Sequence, residues 1–190
     1  MRVGVLAVQG DYEAHGRMLS RLGVEWTAVR RGAELVGVDG LVLPGGESTT
    51  QLKFLQEEGL GQAIRDFGAS GGAVLATCAG AILAAREVRH PPQDSLGLID
   101  MIVERNAYGR QVASEVREGL SKLQEAALEM VFIRAPIIVE VGKGVEVLAE
   151  SEGRPVLVRQ DDVVAATFHP ELTDQTTVHE YFLKFARNGR

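Results

Sequence analysis

Residues 74–83 read VLATCAGAIL. An apolar run enters, small residues surround Cys78, and a run rich in helix formers leaves. This pattern predicts a buried strand, a sharp turn and a helix, with the only cysteine of the chain on the turn. Ala76 and Gly80, two residues to either side, are small enough for strand and helix to pack closely. The turn lifts the sulfur to the top of a sheet, and the free N–H groups and dipole of the helix favour a thiolate. The backbone N–H of Ala79 is placed to donate to an oxyanion. An inert packed thiol is the competing reading, because free cysteine is among the most buried residue types.

The neighbouring segments say what sheet this turn belongs to. Upstream, VGVLAVQ, VEWTAVR and GLVLPGG read as strands. YEAHGRMLSRLG and STTQLKFLQEEGLGQAIRDFGASG read as helices, the first stopping at Gly23, the second capped by Ser48 and broken near Gly59. AGAILAAREV reads as the helix after the cysteine. Strands alternating with helices imply parallel pairing. Downstream, LIDMIVERN, MVFIRAPIIVEV, VEVLAES, RPVLVRQ and DVVAATFHP read as strands with short turns between some of them, then TVHEYFLKFARN as a last helix. The expected fold is α/β: an open, mixed, mostly parallel sheet flanked by helices, with an antiparallel extension in the second half.

Composition narrows the function classes. A chain of 190 residues is most simply one domain. A net charge of −6 argues against nucleic acid, which selects a basic face. One cysteine makes no internal disulfide, and no Cys/His spacing suits zinc, so no metal is expected. The N-terminal MRVGVLAVQGD reads as a first strand rather than a signal peptide, and no apolar run is long enough to span a membrane. The expected location is cytoplasmic.

A thiolate nucleophile needs a base, and the base needs an orienting group. Of four histidines, His15, His90 and His179 read as surface or packing residues. His169 differs, because it ends a strand in FHPEL. Pro170 keeps it extended, and side chains two apart in extended chain share a face, which sets Glu171 beside it. A plain strand end with a turn-forming proline fits the same residues. LPGGESTT places two glycines at another strand end, in a loop rich in free N–H groups. Gln9, Gly45, Gly46, Cys78 and His169 all fall at strand carboxyl ends, where open α/β sheets bind ligands.

Together, AVQGDYEAH, LPGGESTT, TCAG, VERNAYGRQ, FIRAP and FHPEL resemble the class I, triad-type glutamine amidotransferases. More narrowly they resemble the glutaminase subunits of pyridoxal 5′-phosphate synthase, over nearly the whole chain. The resemblance implies a flavodoxin-like fold and one glutamine amidotransferase domain over residues 1–190. It implies Cys78 as nucleophile, His169 as base and Glu171 as orienting acid. Gly46 and Ala79 would supply the oxyanion hole. Gly46, Glu47, Ser48, Arg105, Ile133 and Arg134 would bind L-glutamine, and Gln9 would face a partner and take part in activation. The implied partner is a separate synthase subunit that receives ammonia, and no cofactor is implied. One departure is Ala76, where the family elbow begins with glycine. Two rivals stay open: a glutaminase of another pathway, and a cysteine-bearing sensor or chaperone with a similar elbow.

Overall fold

Alternate residues of the early strands bury on opposite faces of one sheet. In β1 (Arg2–Leu6), Val3 and Val5 join one apolar cluster and Leu6 the other. The computed structural model describes residues 1–105 and 114–188; positions 106–111 of the resemblance block VERNAYGRQ lie outside the described residues. After β1 come α1 (Tyr12–Arg21), β2 (Glu25–Val29), β3 (Gly40–Leu43), α2 (Ser48–Gln56) and α3 (Leu60–Ala69). Then follow β4 (Ala73–Thr77), α4 (Ala79–Ala84), β5 (Ala85–Arg89) and β6 (Ile99–Glu104). The remainder is β7 (Ser114–Ser121), β8 (Gln124–Ile133), β9 (Ile137–Val141), β10 (Glu146–Ser151), β11 (Arg154–Gln160), β12 (Val163–Ala166) and α5 (Thr177–Asn188).

The large sheet has the order β2-β1-β3-β4-β12-β11-β10-β7-β8. Its first five strands are parallel. The rest pair antiparallel, so the second half of the chain extends the parallel sheet as expected. One face is covered by α1 and α5, through Leu19, Val178 and Phe182. The other is covered by Leu55 of α2, Leu60 and Ile64 of α3 and a second sheet, β5-β6-β9. Each fully buried Leu or Phe here contributes roughly 1.5–3 kcal/mol.

Four local expectations give way. The helix read through AGAILAAREV stops at Ala84, and Ala85–Arg89 becomes β5, paired in parallel with β6. Its Ala, Arg and Glu favour a helix, but sheet pairing overrides propensity. MVFIRAPIIVEV is not one strand. Arg134 takes φ +45°, Pro136 has no N–H to donate, and the chain passes from β8 in the large sheet to β9 in the small one. The cap of α2 is Glu47, not Ser48: the Glu47 carboxylate accepts from the Thr50 N–H at 2.8 Å, while the Ser48 hydroxyl donates to Gln93 at 3.1 Å. DVVAATFHP does not belong wholly to the antiparallel extension, because β12 is antiparallel to β11 but parallel to β4.

Candidate active site

The strands β1, β3, β4 and β12 are neighbours and run the same way, so their carboxyl ends meet at one edge. Cys78 follows β4 and caps α4 with φ +48° and ψ −107°, a strained backbone for an L-residue. Its N–H donates to the Ala166 carbonyl at 2.9 Å, and its carbonyl accepts from Ala81 at 3.1 Å. A Cβ on Gly80 would overlap the Leu43 carbonyl oxygen, so the elbow packs against β3 with no atom to spare. The Ala76 methyl is accommodated in the buried core. Ala79 opens α4, where first-turn N–H groups have no partner within the helix.

His169 follows β12, and its N–H donates to the Val131 carbonyl at 2.8 Å. The chain does not stay extended after it. Pro170–Leu172 form one 3-10 turn, and this turn brings the Glu171 carboxylate to His169, with Nδ1 and Oε1 2.7 Å apart. Cys78 stands on the same side of the site: its Sγ donates to the Ile133 carbonyl at 3.8 Å, and a Cβ on Gly45 would meet both the His169 ring and the Cys78 Cβ. Burial alone would lower the His169 pKa; the neighbouring Cys78 and Glu171, with their charges, outweigh it and push it up to about 10. Burial likewise opposes the charge of Glu171, but the rings of His15 and His169 hold its carboxyl down to about 2.

The glycine loop closes the third side. A Cβ on Gly45 would overlap the His169 ring, and one on Gly46, at φ +153°, would overlap the Gln9 side-chain oxygen. That Gln9 oxygen accepts from the Glu47 N–H at 2.8 Å. The Gln51 amide donates to the carbonyls of Gln9 at 3.0 Å and Pro44 at 3.2 Å. The Thr49 hydroxyl and Thr50 bind the Glu47 carboxylate and hold its pKa at about 2. Arg105 lies 3.5 Å from the other Glu47 oxygen.

These groups enclose a cavity of about 330 Å³, within the range of small-molecule sites. Gln9, Gly46, Glu47, Ser48, Cys78, Ala79, Arg105, Ile133, Arg134, His169 and Glu171 all line it. A larger hollow of about 920 Å³ lies between α2, α3 and β5, but it contains none of the Cys78–His169–Glu171 line. Two of its arginines, Arg86 and Arg89, are paired with carboxylates.

Sequence reasoning missed the groups behind Glu171. His15, read as a surface or packing residue, is fully buried on α1 and sits 3.4 Å from the second Glu171 oxygen. It also contacts the Thr77 hydroxyl at 3.1 Å and His179 at 3.0 Å. A histidine inside the apolar stripe of α1, beside Ala14, Met18 and Leu19, was the available signal.

A mixed α/β sheet that brings a thiol, an imidazole and a carboxylate to one edge has the fold of the class I glutamine amidotransferases. The sequence matches the SNO glutamine amidotransferase family over residues 5–188, and the chain belongs to that family. A pyridoxal 5′-phosphate synthase subunit PdxT of Koribacter versatilis is 52% identical over 189 residues, covering 100% of this chain and 97% of the relative. The PdxT of Thermosipho africanus is 49% identical, covering 98% of this chain and 100% of its own. The crystal structure of a glutamine amidotransferase overlays with a TM-score of 0.92 at 46% identity, covering 97% of this chain and 98% of that one.

Proposed function

We propose that this protein hydrolyses L-glutamine to L-glutamate and ammonia through Cys78, His169 and Glu171. It delivers the ammonia to a separate synthase subunit that makes pyridoxal 5′-phosphate. The observation that carries this proposal is the 2.7 Å hydrogen bond between Glu171 and His169 beside Cys78, all three at the wall of one cavity. Relatives with about half their residues in common along the full chain are named as subunits of that synthase.

Cys78, its proton passed to His169, attacks the side-chain carbonyl of glutamine. The oxyanion is met by the N–H groups of Ala79 and Gly46, each such donor lowering the barrier by about 3–4 kcal/mol. Protonated His169 then gives its proton to the departing ammonia, and afterwards draws one from the water that cleaves the thioester. Glu171 fixes the imidazole tautomer through Nδ1. Glu47, with Ser48 and Ile133, orients the substrate amino end, and Arg105 and Arg134 serve its carboxylate. Gln9 links the site to the partner: its side chain holds the Glu47 N–H, so a partner that moves Gln9 moves the glycine loop. These steps use protein groups and water, and the protein works in the cytoplasm, where a lone thiol stays reduced.

Replacing the nucleophile tests this directly. Cys78→Ala in the complex with the synthase should lose glutamine-dependent glutamate release by about 10⁴-fold or more, while added ammonium still supports synthesis. Retained glutamine hydrolysis in that variant overturns the proposal.

A further inference from the structure

Glu171 has two oxygens, and the proposed chemistry uses one. Oε1 binds His169. Oε2 lies in an interior where the Glu171 side chain is 1% exposed, and no partner among the described residues reaches it at ordinary hydrogen-bond length. An unpartnered buried carboxylate oxygen is costly, and the carboxylate would turn toward any donor nearby. The donor facing it is His15 Nε2, 3.4 Å away. His15 is held in turn by Thr77, the residue before Cys78, and by His179 of α5.

The direction of these bonds follows from the far end. His179 Nδ1 is buried and has no partner among the described residues. An orphaned buried N–H is rarer than an under-used acceptor, so this nitrogen carries the lone pair. The His179 proton then sits on Nε2 and donates to His15 Nδ1. His15 must carry its own proton on Nε2, between Thr77 Oγ1 and Glu171 Oε2. The reverse order would leave a buried N–H without an acceptor and aim a bare lone pair at a carboxylate. Burial favours the neutral form of both rings: it lowers the pKa of His15 despite the nearby Glu171 charge, and it lowers that of His179 to about 3. Among the described residues no three such groups are arranged as metal ligands.

The geometry points to His15 as a positioning residue: its Nε2–H holds the second oxygen of Glu171, so that the first keeps the His169 ring aimed at Cys78. This rests on Glu171 being the orienting acid of the proposed triad. His15 touches neither substrate nor sulfur. It acts by denying Glu171 the freedom to swing away or to take up a proton, either of which would release His169 Nδ1. Thr77 joins the same bond network, so the strand leading to the nucleophile and the acid behind the base share one anchor.

Two variants and one direct measurement test this. His15→Leu keeps the bulk and removes both ring nitrogens. His15→Gln restores an N–H near the Nε2 position. In the complex with the synthase subunit, His15→Leu should lower kcat for glutamine about 10-fold, the loss expected for one hydrogen bond to a charged group, with KM within about twofold of the parent. His15→Gln should recover most of that loss. An unchanged kcat in His15→Leu, or a loss in His15→Gln as large as in His15→Leu, overturns the assignment. Should His15→Leu not fold, nitrogen-15 NMR of the unaltered protein decides: a proton on His15 Nε2 and none on Nδ1 is expected, and the opposite tautomer overturns it. Failure of the triad itself would instead appear as full activity in Cys78→Ala, whatever His15 does.

Discussion

The two halves of the large sheet use their strand ends differently. In the parallel half, β1, β3, β4 and β12 finish at one edge, so direction alone delivers Gln9, Gly45, Gly46, Cys78 and His169 to the cavity. In the antiparallel half, successive strands finish at opposite edges. Of these strands, only β8 supplies residues to the cavity, Ile133 and Arg134, and it does so where the backbone breaks at Arg134. Burial differs too. All five residues of β4 are buried, whereas β7 leaves Val116 62% and Leu120 79% exposed. Parallel pairing gathers chemistry and needs cover on both faces. Antiparallel pairing tolerates solvent and contributes to a site by bending.

Substitutions in each half sharpen this contrast. The largest effect is expected at Phe182, fully buried beneath the parallel half and packed against Gly40. Phe182→Ala should cost about 3–5 kcal/mol in urea unfolding; a loss under about 1 kcal/mol would mean that this face repacks freely. His169→Asn comes next, lowering kcat for glutamine by at least about 10²-fold with little change in stability. Activity near that of the unaltered protein would remove the base from the parallel edge. Arg134→Ala, at the break after β8, should act on binding: KM for glutamine rises about 10-fold, with kcat within about twofold. A kcat loss equal to that of His169→Asn would erase the division of labour between the halves. Leu120→Ser on β7 should be smallest, within about 0.5 kcal/mol, and a larger melting shift would show that this exposed face is not idle.

The parallel half was the more legible in sequence, for a physical reason. Strands buried on both faces leave unbroken apolar runs, and β1, β3 and β4 show them. β7 mixes charged, small and apolar residues without a regular period, a pattern too weak to stand out from a loop. β5 hid inside helix formers, and the β8–β9 break depends on a positive φ at Arg134, a residue type that does not announce one. Cys78, His169 and Glu171 were named from residue type and local frame; all three line one cavity, and His169 meets Glu171 by a 3-10 turn rather than extended chain. His15 and His179 were not. No spacing links positions 15, 77, 171 and 179; only the packing of α1 and α5 on the same face brings them together.

The place of β12 in the sheet bears on when the protein becomes active. β12 is the last strand made, yet it lies in the middle of the sheet, between β4 and β11. About 90 residues of chain separate Cys78 from His169. A ribosome releases the thiol early and the imidazole late, and pairings of such long sequence separation form slowly. Until β12 inserts, the nascent chain has a cysteine with no imidazole beside it and a sheet open at its centre. On the proposed triad, turnover begins only when the final strand closes the gap, and a chain cut short before it carries the thiol without its imidazole.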